Sequence, residues 1–294
     1  MQEIEVVKRK MDTAEDLQGV VKTMKALAAV SMRQYEKAVA SLAEYNHTVD
    51  LGLQVVLRAG ATPIRLTRAV PDGRLGAIVF GSDQGLCGRF NDQIADSALS
   101  TLPTLEAEPQ RRCVVAVGVR IASRLEEMGQ PVAEALTLPA SLAGVTSRVQ
   151  DLLMRIEAWC EQHRLDRVML FHNRLLSGTA YTPHMVHLIP IDWSRLYRLV
   201  AQAWPSRSLP AFTMDQEPLL SSLLRQHLFV SLYRAFAESL ASENASRLAS
   251  MQAAERSIDE RLEALRGEFR YQRQHAITEE LLDIVSGFEA LNEA

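Results

Sequence analysis

The chain has 294 residues, 47% hydrophobic and 23% charged, with a formal net charge of −4. That length allows one or two domains with a real core, and 32 basic against 36 acidic residues leave no electrostatic footprint for nucleic acid. No run of ~18 apolar residues occurs, so nothing reads as a membrane span; the acidic start Met1-Gln2-Glu3-Ile4-Glu5 has neither a secretory apolar region nor an arginine-rich transit pattern and fits cytoplasmic residence in a bacterium-like cell.

Residues 1–62 contain no proline, so a single long helix can form there. From Val21 a three–four spacing gives Val21, Met24, Ala28, Ser31, Tyr35, Ala38, Leu42, Tyr45 and Val49, of which eight of nine are apolar. This is the seam of a helix that packs lengthwise on another helix. Gly19 weakens it locally by ~1 kcal/mol relative to alanine. A connector punctuated by Gly60, Pro63, Pro71, Asp72 and Gly73 follows.

The period then changes. Leu75–Phe80, Cys113–Val119, Arg167–His172 and Met185–Ile191 are short apolar runs rich in β-branched residues. Helical patterns lie near Asn91–Leu102, Arg120–Gly129 and Leu142–His163. Strands buried on both faces and alternating with helices predict a mostly parallel α/β sheet. Pro190 closes its run, as an edge or terminal position requires. Residues 192–214 read as loop, with Pro205 and Pro210.

After Pro218 there is no further proline and only two glycines, Gly267 and Gly287. Asp215 is a fair N-cap, and Pro218 is tolerable in a first turn. A helix from Leu219 to Leu291 would be roughly 110 Å long, far beyond what a small core hides. Its seam reads Ala237, Ala241, Asn244, Leu248, Met251, Glu255, Ile258, Leu262, Leu265, Phe269, Gln272 and Ala276, nine of twelve apolar. The two seams predict an antiparallel coiled coil of the terminal helices. The expected fold is therefore α/β: a Rossmann-like domain (61–214) inserted between a helix at 1–60 and a helix at 215–294.

The sharpest local motif is Gly81-Ser82-Asp83-Gln84-Gly85-Leu86-Cys87-Gly88-Arg89-Phe90-Asn91, which follows a strand and precedes a helix. Its glycine spacing is not that of a dinucleotide fingerprint, and no Gly-Lys-Ser/Thr closes it as a phosphate loop. Gly81, Asp83, Gly85 and Gly88 read instead as a tight structural turn in which glycine supplies positive φ. No catalytic residue, cofactor site or metal site is expected. His184 and His187 alternate to opposite faces of a strand, no His-x-x-x-His motif occurs, and no G-x-S-x-G elbow occurs. Cys87, Cys113 and Cys160 lack CxxC spacing and read as reduced thiols. Late in the chain, Arg273, Gln274 and Thr278 offer side-chain donors on the last helix beyond what a solvated face requires.

Four stretches carry a family resemblance. GSDQGLCGRFN (81–91) resembles the Ser/Thr-Asp-Arg-Gly-Leu-Cys-Gly-x-x-Asn motif of the γ subunit of the rotary ATP synthase, with Gln84 in place of arginine. Ser242-Glu243-Asn244-Ala245-Ser246-Arg247-Leu248-Ala249-Ser250-Met251 resembles its Ser-Glu-x-Ala-x-Arg-x-x-Ala-Met element, with Ser250 replacing alanine. Residues 273–281, RQHAITEEL, resemble its Arg-Gln-x-x-Ile-Thr-x-Glu-Leu. Residues 21–29, VKTMKALAA, resemble its Thr-Lys-Ala-Met-x-Met-Val-Ala-Ala. Glu15-Asp16-Leu17-Gln18-Gly19 departs from the family's usual Asn-Thr-x-Lys-Ile, which suggests a divergent branch.

The resemblance implies a non-catalytic rotor subunit that transmits torque between an ion-driven membrane c-ring and a catalytic hexamer of α and β subunits, with the ε subunit as a further partner. It implies a peripheral place on the cytoplasmic face of the bacterial plasma membrane. It assigns Lys22, Met24, Arg273, Gln274 and Thr278 to the contact zone with the catalytic ring. The alternatives from other classes are an α/β nucleotide-binding enzyme with helical dimerisation arms and a coiled-coil scaffold.

Overall fold

The computed structural model describes residues 2–60, 73–162, 164–208 and 210–292. The proline-rich part of the connector, 61–72, lies outside them. The first helix, α1, spans Gln2–Arg58 over 57 residues, and the last, α6, spans Gln216–Asn292 over 77 residues. The Leu219 amide donates to the Asp215 carbonyl at the start of α6, and Pro218 sits in the first turn, where its missing N–H costs nothing. Contacts divide the chain into two units, Ala28–Arg247 and the pair Met1–Leu27 with Leu248–Ala294.

The Ala28–Arg247 unit is built on a five-stranded sheet of order β3-β2-β1-β4-β5. Its strands are β1 (Arg74–Phe80), β2 (Arg112–Val117), β3 (Glu134–Leu136), β4 (Leu165–Ser177) and β5 (Ala180–Ile189). β1 pairs in parallel with β2 and β4, and β2 with β3. Only β5 runs antiparallel, as the second arm of a hairpin with β4. β1 is central, and six of its seven residues are buried, as a strand covered on both faces requires.

Helices α2 (Phe90–Leu105) and α3 (Val119–Glu127) cover one face, burying Ile94, Ala98, Leu102, Ile121 and Leu125 against Ala77, Val79 and Met169. Helix α4 (Val145–Gln162) covers the other face together with parts of α1 and α6. There Leu53 and Val56 of α1, and Leu224, Leu232 and Phe236 of α6, join the core. Phe236 meets Phe80 edge-on with ring centroids 4.9 Å apart. Within this unit α1 and α6 run antiparallel: Gln216 donates to the Ala59 carbonyl at 3.0 Å and the Tyr45 hydroxyl to Gln226 at 2.8 Å.

The unit Met1–Leu27 with Leu248–Ala294 is also an antiparallel helix pair. Lys25 pairs with Glu255, Gln18 bonds Asp259, and Glu15 pairs with Arg266 at 2.9 Å. Val7, Met251, Leu262 and Leu265 are buried between the helices at 2–4% exposure, so the expected seam forms. Of the seam on α1, Tyr45 departs: its ring is 45% exposed because the hydroxyl turns outward to Gln226.

Two short elements escape the sequence pattern. β3 is three residues long, too short to show a period. Helix α5 (Trp193–Ala201) occupies part of the stretch read as loop; both prolines fall after it, and its carbonyl end is closed from a distance. Gln54 donates to the Leu199 and Gln202 carbonyls, each at 2.8 Å, and Arg58 to the Val200 carbonyl. Side chains of α1 thereby satisfy terminal acceptors that a short helix leaves open.

Candidate functional site

In a doubly wound sheet a ligand ordinarily sits outside the carboxyl ends of the strands, where the connections diverge to opposite faces. Here that place lies between β1, whose connection covers one face with α2, and β4, which is reached through α4 on the other. The loop 81–89 leaves β1 at this point, and the chain itself occupies it.

The loop is tied inward on every side. The Ser82 amide donates to Asn91 Oδ1 at 3.0 Å, and Asn91 Nδ2 donates to Ser82 Oγ at 2.8 Å. Ser82 Oγ in turn donates to the Gln84 carbonyl at 2.8 Å. Asp83 accepts the Val119 amide with one carboxylate oxygen and the Leu138 amide with the other, both at 2.9 Å. It thus closes the start of α3 and the strand end after β3 with one side chain. A charge-assisted bond at a helix N-terminus is favourable on both counts.

The glycines differ in what they do. A Cβ on Gly81 would lie 2.2 Å from Ile121 Cβ and 2.6 Å from Asn91 Oδ1, so the close approach of α3 and α2 requires glycine. Gly88 has φ +56° and needs glycine for that reason. Gly85 has neither a positive φ nor a neighbour within 4 Å of a Cβ; the second left-handed residue of the loop is Leu86, at φ +62°. Of the three glycines only Gly88 has positive φ, so the expectation is corrected for Gly81, which is needed for close approach, and for Gly85, where the chain turns one residue later.

Helix α6 closes the crevice. Ser246 Oγ donates to the Cys87 carbonyl at 2.5 Å and lies 3.1 Å from the Tyr181 hydroxyl. Ser242 Oγ bonds the Asn173 carbonyl at 3.1 Å, and Asn173 Nδ2 reaches the Phe90 carbonyl at 3.1 Å. Beside them Arg247 pairs with Glu243 at 2.5 Å, with side chains 11% and 7% exposed. Burial pushes the Glu243 carboxyl above its ordinary range, and Arg247 offsets this in part. Burial likewise raises the Cys87 thiol, which suits an inert packed group. Cys160, with burial and Glu157 and Glu161 beside it, is pushed up to about 11, and all three cysteines are free thiols.

The 81–91 and 242–247 motifs are thus one bonded knot. Sequence reading singled out both stretches but missed the contact between them, the roles of Asn91 and Ser246 in it, and Asn173 and Tyr181 altogether. The signal was there in part: a run of small polar residues in a helix interior needs a partner, since exposed serine adds nothing to a helix. Among the described residues no three histidine, cysteine or acidic side chains are placed to hold a metal ion.

The other predicted residues lie in the unit Met1–Leu27 with Leu248–Ala294. Lys22 is exposed and Met24 half-buried on α1; Arg273, Gln274 and Thr278 are all exposed on α6. Thr278 donates its hydroxyl to the Gln274 carbonyl at 2.9 Å. The Lys25–Glu255 and Glu15–Arg266 pairs fix the register. Lys22 and Met24 therefore lie opposite the neighbourhood of Ile258, whereas Arg273 lies opposite the start of α1. Some fifteen residues of helix separate the two groups, ~20 Å along the axis. They form two stations rather than one patch. Around the second station the helix leaves Tyr271, Leu281 and Ile284 57–71% exposed, more apolar surface than a solvated helix end requires.

The fold is a sheet domain inserted in sequence between two long helices that pair antiparallel within each unit, with the crevice at the carboxyl ends of the strands filled by the chain's own helix. Residues 3–291 match the family model described as ATP synthase, and the chain belongs to that family. It is 25% identical over 97% of its length to the ATP synthase gamma chain of Nitrosomonas europaea, covering 98% of that protein. To the ATP synthase gamma chain of Nostoc sp. it is 27% identical, over 99% of this chain and all of the relative. Among solved structures, a chain of the Euglena gracilis mitochondrial ATP synthase OSCP/F1/c-ring assembly superposes with a TM-score of 0.64 at 14% identity, covering 99% of this chain and 95% of that one. A chain of the Tetrahymena thermophila central stalk/c-ring structure gives 0.56 at 20% identity, over 80% of this chain and 99% of the other. At these identities the structural likeness is one of fold.

Proposed function

We propose that this chain is the rotor subunit of a rotary ATP synthase and does no chemistry of its own. Torque passes through it between an ion-driven membrane c-ring and a hexamer of α and β subunits, and the ε subunit is a further partner. The observation that carries the reading is the match to the ATP synthase family along residues 3–291. The filled crevice supports it: a nucleotide at the carboxyl end of β1 would have to displace Ser242, Ser246 and the loop bonds of Ser82 and Asp83. Gly81, Asp83 and Gly88 then serve as a structural turn.

No helix among the described residues is long and apolar enough to cross a membrane. In this reading attachment is peripheral, through the complex, at the cytoplasmic face of the bacterial plasma membrane. Lys22 and Met24 form one contact station with the catalytic hexamer, and Arg273, Gln274 and Thr278 a second. An asymmetric helix pair that binds successive states of the hexamer with different free energies drives them in sequence, which is coupling in the thermodynamic sense.

Co-expression of the tagged chain with α and β subunits tests this. One copy should purify per hexamer, with ATPase activity that the chain alone lacks. Purification of the chain free of both subunits, with a micromolar ATP site of its own, would instead favour a nucleotide-binding enzyme.

A further inference from the structure

One cavity lies apart from the knot and from both helix stations. It is a cleft of about 350 Å³ between the β4–β5 hairpin and α6, within the Ala28–Arg247 unit, inside the usual size range of small-ligand sites. Its floor holds His172, 1% exposed, which bonds Glu238 at 2.8 Å through Nε2. The His184 ring stands edge-on to it, with centroids 5.4 Å apart, as their direct cross-strand pairing dictates. His187 also borders the cleft. Alternation turns His184 and His187 to opposite faces of β5, an edge strand, yet both are among the residues that line the cleft.

Two carboxylates and two guanidiniums line this cleft, and both carboxylates are already bonded. Glu238 is engaged by His172, and Asp192 accepts Ser194. Arg174 of β4 and the half-buried Arg234 of α6 both line the cleft. Among the described residues neither has a hydrogen-bond or ion-pair partner. A half-buried guanidinium without a counter-charge is costly, and its forked donors match an oxyanion in two-point geometry. His184 adds a further donor, its imidazole held below its ordinary pKa by burial, His172 and Arg174.

We infer that this cleft is a binding site for a small oxyanion of phosphate or dicarboxylate type, held by Arg234 and Arg174 with His184 beside them. The site is independent of the rotor reading, because it uses none of the residues placed in the knot or at the two helix stations. Calorimetric titration of the full chain with inorganic phosphate, and separately with succinate, at fixed ionic strength and pH tests it. Saturable heat with at least one of them, and none with chloride, is the expected result. Arg234→Gln should weaken the binding at least about tenfold, the loss expected from one charge-assisted pair, while Arg256→Gln, at an exposed position away from the cleft, leaves it unchanged. If circular dichroism shows Arg234→Gln unfolded, His184→Gln decides, with the same expectation. Heat no different from chloride for both anions, or equal affinity in the decisive variant, overturns the inference.

Discussion

Two arginines on one helix show how differently the two units are built. Arg247, at the end of the sheet-bearing unit, is 9% exposed and paired with Glu243 inside a polar knot. Arg273, in the paired-helix unit, is exposed on a face whose apolar residues are exposed too. Both belong to stretches that resemble one family's motifs. The first is spent on holding the domain together and filling its crevice. The second makes no structural use of its surroundings, which leaves it available to another molecule. Within such a chain, a motif residue's exposure separates internal architecture from surface left open to solvent or to another molecule.

The sharpest way to break this comparison is at the seam of the paired helices. Leu262 is 3% exposed, so Leu262→Asp removes a packed side chain and buries an unpaired charge, a loss of ~4 kcal/mol. The exposed Glu260→Ala should change stability by under ~0.5 kcal/mol. Thermal melts followed by circular dichroism compare them; equal shifts would contradict the helix pairing.

Arg247→Ala comes next. It strands the Glu243 carboxylate in a buried site, which costs ~3 kcal/mol, whereas Arg273→Ala should cost under ~0.5 kcal/mol. Similar melting points for the two variants would erase the distinction between the regions.

The outline of the fold was legible in residues whose pattern repeats. The proline-free ends, the two seams and the apolar runs at Leu75–Phe80 and Arg167–His172 gave the helices and the parallel core. What stayed hidden was set by contacts distant in sequence or by elements too short to repeat. β3 exists because Val115–Val117 offer it an edge, and α5 because Gln54 and Arg58 close its end. The knot was half visible: both stretches stood out, but nothing local said that Ser246 bonds Cys87. Nor did residue spacing show that Lys22 and Met24 lie a long stretch of helix away from Arg273.

Smaller effects sharpen the account of the knot. Ser246→Ala removes the donor to the Cys87 carbonyl and should cost ~1 kcal/mol. Gly85→Ala, at a position with open space and no positive φ, should lie within ~0.5 kcal/mol of the parent. Chemical denaturation of the three proteins orders them; a Gly85→Ala loss as large as that of Ser246→Ala would mean that the turn depends on the middle glycine after all.

The central claim, that the exposed station on α6 grips a partner rather than stabilising the chain, is tested most directly by coupling. Arg273→Ala with Gln274→Ala should leave the melting point of the free chain unchanged, since exposed substitutions shift stability by under ~0.5 kcal/mol. In the reconstituted complex the same pair should lower ATP-driven ion uptake into vesicles relative to the ATPase rate. Changing the exposed Arg256 and Ser257 to alanine should do less. Uptake per ATP equal to that of the parent complex, with Arg273 and Gln274 both removed, would contradict the account and return that surface to solvent.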